Sequence, residues 1–156
     1  MPIFDDKTWS KILKHKYTEL GPPATAKAIA VFEARHRFAL PEAHREFLLR
    51  ANGGIIVGVI KLFGVGRRDS LDLGRQLKKM RPKLEATSAG PVFPFACDGG
   101  DNYLCYDLRK PAMPSGYPVL MCHNEYSEKP ADRYSLWVKF TRNFRGFIKY
   151  IIEVQA

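Results

Sequence analysis

The chain has 156 residues, 46% of them hydrophobic, and carries 25 Lys and Arg against 16 Asp and Glu, a formal charge of +9. That length fits one domain over residues 1–156, which buries roughly 70% of its unfolded surface without needing disulfides or metals. No apolar run approaches the ~20 residues of a membrane helix, and the N-terminal MPIFDDKTWSK has acids where a secretory leader needs bases, so the sequence reads as a cytoplasmic protein with no membrane partner.

Asp5 or Asp6 can cap a first helix that sets Trp9, Ile12, Leu13 and Tyr17 on one face, and Gly21-Pro22-Pro23 ends that unit. A second helix runs from near Thr25 to about Arg35 with Ala28, Ile29 and Phe32 inward. Leu40–Gly54, LPEAHREFLLRANGG, is a helix with both ends written in the sequence. Pro41 suits the first helical position, where a missing N–H costs nothing. Ala43, Phe47, Leu48 and Ala51 form the apolar stripe, and Asn52-Gly53-Gly54 stops the helix with residues that tolerate left-handed backbone. The periodicity then changes, and Ile55–Val65 reads as one strand that exits at Gly64, Gly66 and Asp69. Ser70–Met80 is weakly helical and Arg81-Pro82 closes it.

Val92–Cys97 reads as a strand in which Pro91 and Pro94 mark an edge or a bulge. Asp98-Gly99-Gly100-Asp101 turns the chain into a strand over Asn102–Leu108, giving a hairpin with a glycine-containing loop. Tyr117–Cys122 and Tyr134–Val138 are two more strands, and Asn143 caps a terminal helix with Phe144, Phe147, Ile148 and Ile151 on one face. Helices, then strands, then a helix, without βαβ alternation, predict an α+β domain with a mainly antiparallel sheet.

Chemistry narrows the function. The positive balance favours anionic partners, but the cations are spread along the chain in short groups such as Lys78-Lys79-Arg81-Lys83, with no nucleic-acid module signature. That leaves a solvated basic surface or an acidic protein partner. Three cysteines, Cys97, Cys105 and Cys122, lack the C-x2-C hook of a zinc site with His123 and sit in strand-like runs, so they read as small buried hydrophobes. His15, His36 and His44 fall on helices, lack H-E-x-x-H spacing, and are expected at the surface. No G-x-S-x-G, Walker loop or dinucleotide fingerprint is present. Asp98, Asp101, Asp107, His123 and Glu125 are the remaining titratable set. A metal-dependent hydrolase would draw Asp98, Asp101, His123 and Glu125 from it. The competing reading is turn chemistry, in which aspartates accept backbone hydrogen bonds and Gly99 and Gly100 supply positive φ. We assign no catalytic residue, metal or cofactor. A contact surface is expected around the loop Asn124–Arg133, with Glu125, Tyr126 and Arg133, beside Tyr103 and Tyr106, and with Asp98 and Asp101 as its acidic part.

Four stretches in order resemble the SUKH superfamily of fungal cell-wall-assembly regulators and bacterial immunity proteins. They are the helix with Ile29, Phe32 and Glu33; LPEAHREFLLRANGG with the following Leu62-Phe63-Gly64; Phe93–Asp101 ahead of Tyr103–Asp107; and the strand with His123 and Glu125 plus the helix built on Phe144-x-x-Phe147. The likeness covers about residues 25–152. It makes Leu40, Pro41, Asn52, Gly53, Gly54, Gly99 and Gly100 marks of backbone shape. The resemblance implies one mixed sheet with flanking helices and a non-enzymatic protein-binding role, as an antidote that occludes a toxin with a concave sheet face and its loops. Antidotes of nuclease toxins are commonly acidic, and the charge of +9 departs from that pattern. A basic nucleic-acid-associated regulator is the third reading, carried by charge alone. Monomer and dimer both stay open.

Overall fold

The computed structural model of the chain describes residues 2–99, 102–110, 116–125 and 134–155. Four of its helices begin on side-chain caps. Asp5 Oδ1 accepts from the Thr8 N–H (2.7 Å) to start α1 (Asp6–Lys14), and Thr25 Oγ1 accepts from the Ala28 N–H (3.0 Å) to start α2 (Ala26–His36). Asp72 Oδ2 accepts from the Arg75 N–H (3.0 Å) at α4 (Leu73–Glu85), and Asn143 Oδ1 from the Gly146 N–H (2.8 Å) at α5 (Phe144–Gln155). Each such cap is worth about 1 kcal/mol, because it satisfies an N–H the helix cannot. α3 (Glu42–Arg50) has no side-chain cap: Pro41, one position earlier than its sequence suggests, stands outside the helix with ψ 147 while its carbonyl accepts from the Arg45 N–H (2.9 Å).

The strands are β1 (Glu19–Leu20), β2 (Gly54–Ile56), β3 (Ile60–Leu62), β4 (Val92–Asp98), β5 (Tyr103–Asp107), β6 (Val119–Glu125) and β7 (Tyr134–Thr141). They form one sheet in sequence order, with every strand pair antiparallel. Among the described residues, the parallel component is one isolated bridge, Gly64 with Asp72. The α+β arrangement of N-terminal helices, antiparallel sheet and C-terminal helix follows the expectation.

Four local readings change. Ile55–Val65 is not one strand but a hairpin, β2–β3, turned by Val57 and Gly58 at φ 47 and 75. A β-branched residue rarely adopts positive φ; here the Val57 side chain is buried and its N–H donates to Thr18 Oγ1 (2.9 Å). Helix α4 does not close at Arg81-Pro82 but runs to Glu85. Pro82 is exposed within the last turn, where it forgoes one i→i−4 hydrogen bond without ending the helix, and Leu84 beyond it is buried. Strand β4 lies between β3 and β5, so Pro94 marks a bulge, at a register shift between Pro94 and Ala96, and not an edge. Leu13 and Tyr17 do not join the buried face of α1; both are 59% exposed, and the helix has ended before Tyr17.

Register sorts the core into two faces. Phe93 lies opposite Tyr106, and with Phe95 they meet α3, α5 and Phe38: ring centroids are 4.4 Å apart for Phe95–Tyr106, 4.0 Å for Phe38–Phe93 and 5.4 Å for Phe95–Phe147. The other face holds Tyr103 and Cys105 and is covered by α4, which packs on β4. The consequence is that β5 is buried at every position. Phe144, Phe147, Ile148 and Ile151 of α5 are buried as their spacing predicts. Burial of each such side chain stabilises the fold by about 1.5–3 kcal/mol.

Candidate functional site

The Asn-Gly-Gly after α3 does more than stop a helix. The Asn52 side chain accepts from the Val65 N–H and donates to the Val65 carbonyl, both at 2.8 Å, copying a strand pairing with an amide side chain. The Asn52 carbonyl accepts from Arg67 Nη1 (2.8 Å), and the Asn52 N–H donates to the Pro22 carbonyl (3.1 Å). Gly53, at φ 74, lies so close to β3 that a Cβ would stand 2.5 Å from the Leu62 carbonyl oxygen. A Cβ on Gly54, at φ 129, would collide with the Glu19 carbonyl of β1. These residues are the meeting point of β1, β3 and the Gly64–Asp72 loop. Leu40 is held likewise: Glu33 Oε2 accepts from the Leu40 N–H (2.7 Å) and from Arg45 Nη2 (2.8 Å).

The predicted contact residues separate. Asp98 does turn chemistry: Oδ1 accepts from the Asn102 N–H (3.1 Å) and Oδ2 from Asn102 Nδ2 (2.9 Å). Asp107 is buried and accepts from Arg109 Nε and Nη2 at 3.0 and 2.9 Å; that pairing holds its carboxyl below the usual range. Tyr106, read as an interface residue, is instead wholly buried and shares a 2.8 Å hydrogen bond with His44 Nδ1. Tyr103 is 8% exposed and packs under α4, 3.5 Å from Gln76 Oε1. The two tyrosines alternate along β5, and helices cover both of its faces. His123 stands opposite Leu136 on β6, and Glu125 follows opposite Tyr134. Asp101, Tyr126, Arg133 and Gly100 lie outside the described residues, as does the Glu125 side chain. Among the described residues, no three His, Cys, Asp or Glu side chains come together as a metal site. Cys105 and Cys122 are buried as their strand setting predicts, while Cys97 is half-buried.

His44 corrects the expectation of a surface histidine. It is fully buried, its ring stacks on Phe144 at 4.5 Å, and burial pushes its pKa down to about 3. Its Nε2 has no partner among the described residues. An imidazole so placed is neutral at physiological pH and belongs to the core.

A cleft of about 560 Å³ opens elsewhere, between α2 and the loop leading into α4. Lys27, Val31 and Arg35 of α2 form one wall, and Gly66, Arg67 and Gly74 the other. Arg67 is engaged in the fold: its guanidinium donates to both oxygens of Asp69 at 3.0 and 2.7 Å, and this raises its pKa and lowers that of Asp69. His36 at the cleft has a lowered pKa, first from desolvation and then from Arg35, with Asp72 opposing. The sequence shows Arg35 and Arg67 in two short basic groups 30 residues apart in number, and nothing local brings them together; the helix face and loop had to be folded first.

The architecture is that of an α+β module in which helices clothe both faces of an antiparallel meander. Residues 23–149 match the model of the SMI1 / KNR4 family (SUKH-1), and the chain belongs to that family. Among curated proteins, none matches the sequence. No helix among the described residues is long and apolar enough to cross a membrane.

Proposed function

We propose that this chain is a non-enzymatic protein-binding module that acts in the cytoplasm as an immunity protein, covering a toxin domain and so blocking it. The match to the SMI1 / KNR4 family (SUKH-1) over most of the chain carries this reading. The site supports it in a second way: Asp98, one of the carboxylates a hydrolase would recruit, is committed to Asn102. We assign occlusion to loops and helix surfaces, away from the central strand β5, which is buried throughout. Asp98, Asp101, Tyr126 and Arg133 remain the proposed contacts.

The test is co-expression with the product of the neighbouring upstream gene. Growth is expected to be restored, and the two proteins to co-purify. A neighbour that is harmless alone, or equally toxic with this chain present, refutes the immunity reading.

A further inference from the structure

Lys27, Val31 and Arg35 recur every four residues on α2, so they line one stripe of that helix. Val31 is 50% exposed, a large apolar side chain left uncovered, with Ala28 and buried Phe32 beside it in the cleft wall. Lys27 and Arg35 flank it, both exposed, and neither has an ion-pair partner among the described residues. The cation on the opposite wall, Arg67, is already paired with Asp69. The cleft thus presents cation, apolar surface, cation in a line, facing a loop wall with exposed Gly66.

We propose that this cleft is a docking site for an acidic segment of a protein partner, in extended conformation, with the pattern Glu-x-Leu-x-Glu. The spacing argues for it. Eight residues of helix separate the two cations by about 12 Å along the axis. In an extended chain, alternate side chains share a side, and four residues span about 13 Å. Two carboxylates in that register reach Lys27 and Arg35 while the central leucine covers Val31. The cleft volume of about 560 Å³ suits a few residues of such a segment. A phosphate backbone would satisfy the cations but leave Val31 uncovered, so an acidic peptide is favoured over a nucleic acid. The inference rests on the reading of the chain as a protein-binding module and names the chemistry of what it binds.

The experiment titrates the ¹⁵N-labelled full chain with the peptide Ser-Glu-Ser-Leu-Ser-Glu-Ser and, in parallel, with Ser-Glu-Glu-Leu-Ser-Ser-Ser of equal composition. Amide shifts are expected at Val31, Gly66 and Gly74, with affinity reduced about tenfold or more in K27E/R35E and unchanged in K139E/K149E. Lys27, Arg35, Lys139 and Lys149 are all exposed, so both variants should fold. Absence of shifts at millimolar peptide overturns the proposal. So do equal shifts with the rearranged peptide, equal loss in the two variants, or a uridine oligonucleotide that shifts the same amides more strongly. If the co-expression partner binds this chain and K27E/R35E leaves that complex unchanged, the cleft fails and the immunity reading stands. If the partner proves harmless while the peptide binds as described, the reverse holds.

Discussion

Replacing Asn52 by alanine removes two 2.8 Å hydrogen bonds and strands both backbone groups of Val65. Val65 is buried, so its N–H and carbonyl have little other recourse. An unsatisfied buried polar group costs about 1–3 kcal/mol. Two would cost about 2–6, and since Asn52 itself is only half-buried, water recovers part, leaving about 2–4 kcal/mol. Against a typical total of about 5–15 kcal/mol, that is a large fraction. Asn52→Asp separates the two bonds: at neutral pH the carboxylate still accepts from the Val65 N–H but offers no proton to the carbonyl, so about 1–3 kcal/mol is expected. Urea unfolding followed by tryptophan fluorescence reads the stability, and hydrogen exchange of the Val65 amide reads the bond. The amide should exchange fast in the alanine variant and stay protected in the aspartate variant. A loss below about 0.5 kcal/mol for Asn52→Ala, or equal Val65 protection in both variants, would refute the claim that this side chain acts as a strand partner.

Three further outcomes follow from the same structure. His44, with a folded pKa of about 3 against 6.5 unfolded, binds protons only when unfolded as pH falls from 6.5, so stability must drop through that window. Between pH 6.5 and 4.5 the contribution is about 2–3 kcal/mol; His36 shifts in the same direction, so the comparison is with His44→Phe, whose stability should vary less over that range. The depressed carboxyls of Asp69 and Asp107 act only at lower pH, since their contribution is present above the usual value of 3.8 and is lost below it. Gly54→Ala should detach β1, read as rapid exchange of the Gly21 amide, which donates to the Gly53 carbonyl, and of the Ile55 amide opposite Glu19, because the added Cβ meets the Glu19 backbone; Gly66→Ala, at φ 62 with no atom within 4 Å, should cost only about 1–2 kcal/mol. Equal effects of the two glycine substitutions would show that close approach is not what fixes Gly54.

Much of the chain is legible from neighbours within four residues. Asp5, Thr25 and Asn143 announce their helices because a cap bonds to an N–H three residues on. Phe144, Phe147, Ile148 and Ile151 announce a buried face because helical spacing aligns them. The misreadings have the opposite origin. Ile55–Val65 looks like one strand because its turn places a valine where glycine or asparagine is usual, and the compensation comes from Thr18, distant in sequence. His44 looks like a surface residue on α3, and Tyr106 like a contact; their hydrogen bond joins positions 62 apart.

The sequence by itself determined which segments are helical, that strands follow them in a mainly antiparallel sheet, and which family the pattern resembles. Those properties depend on backbone dihedrals and local hydrogen bonds. Only the tertiary structure decided that Asn52 serves Val65, that both faces of β5 are covered, and that Lys27, Val31 and Arg35 face the loop at Gly66 across a cleft. Burial and pairing across the sheet are long-range, and they determine which side chains are left to meet a partner.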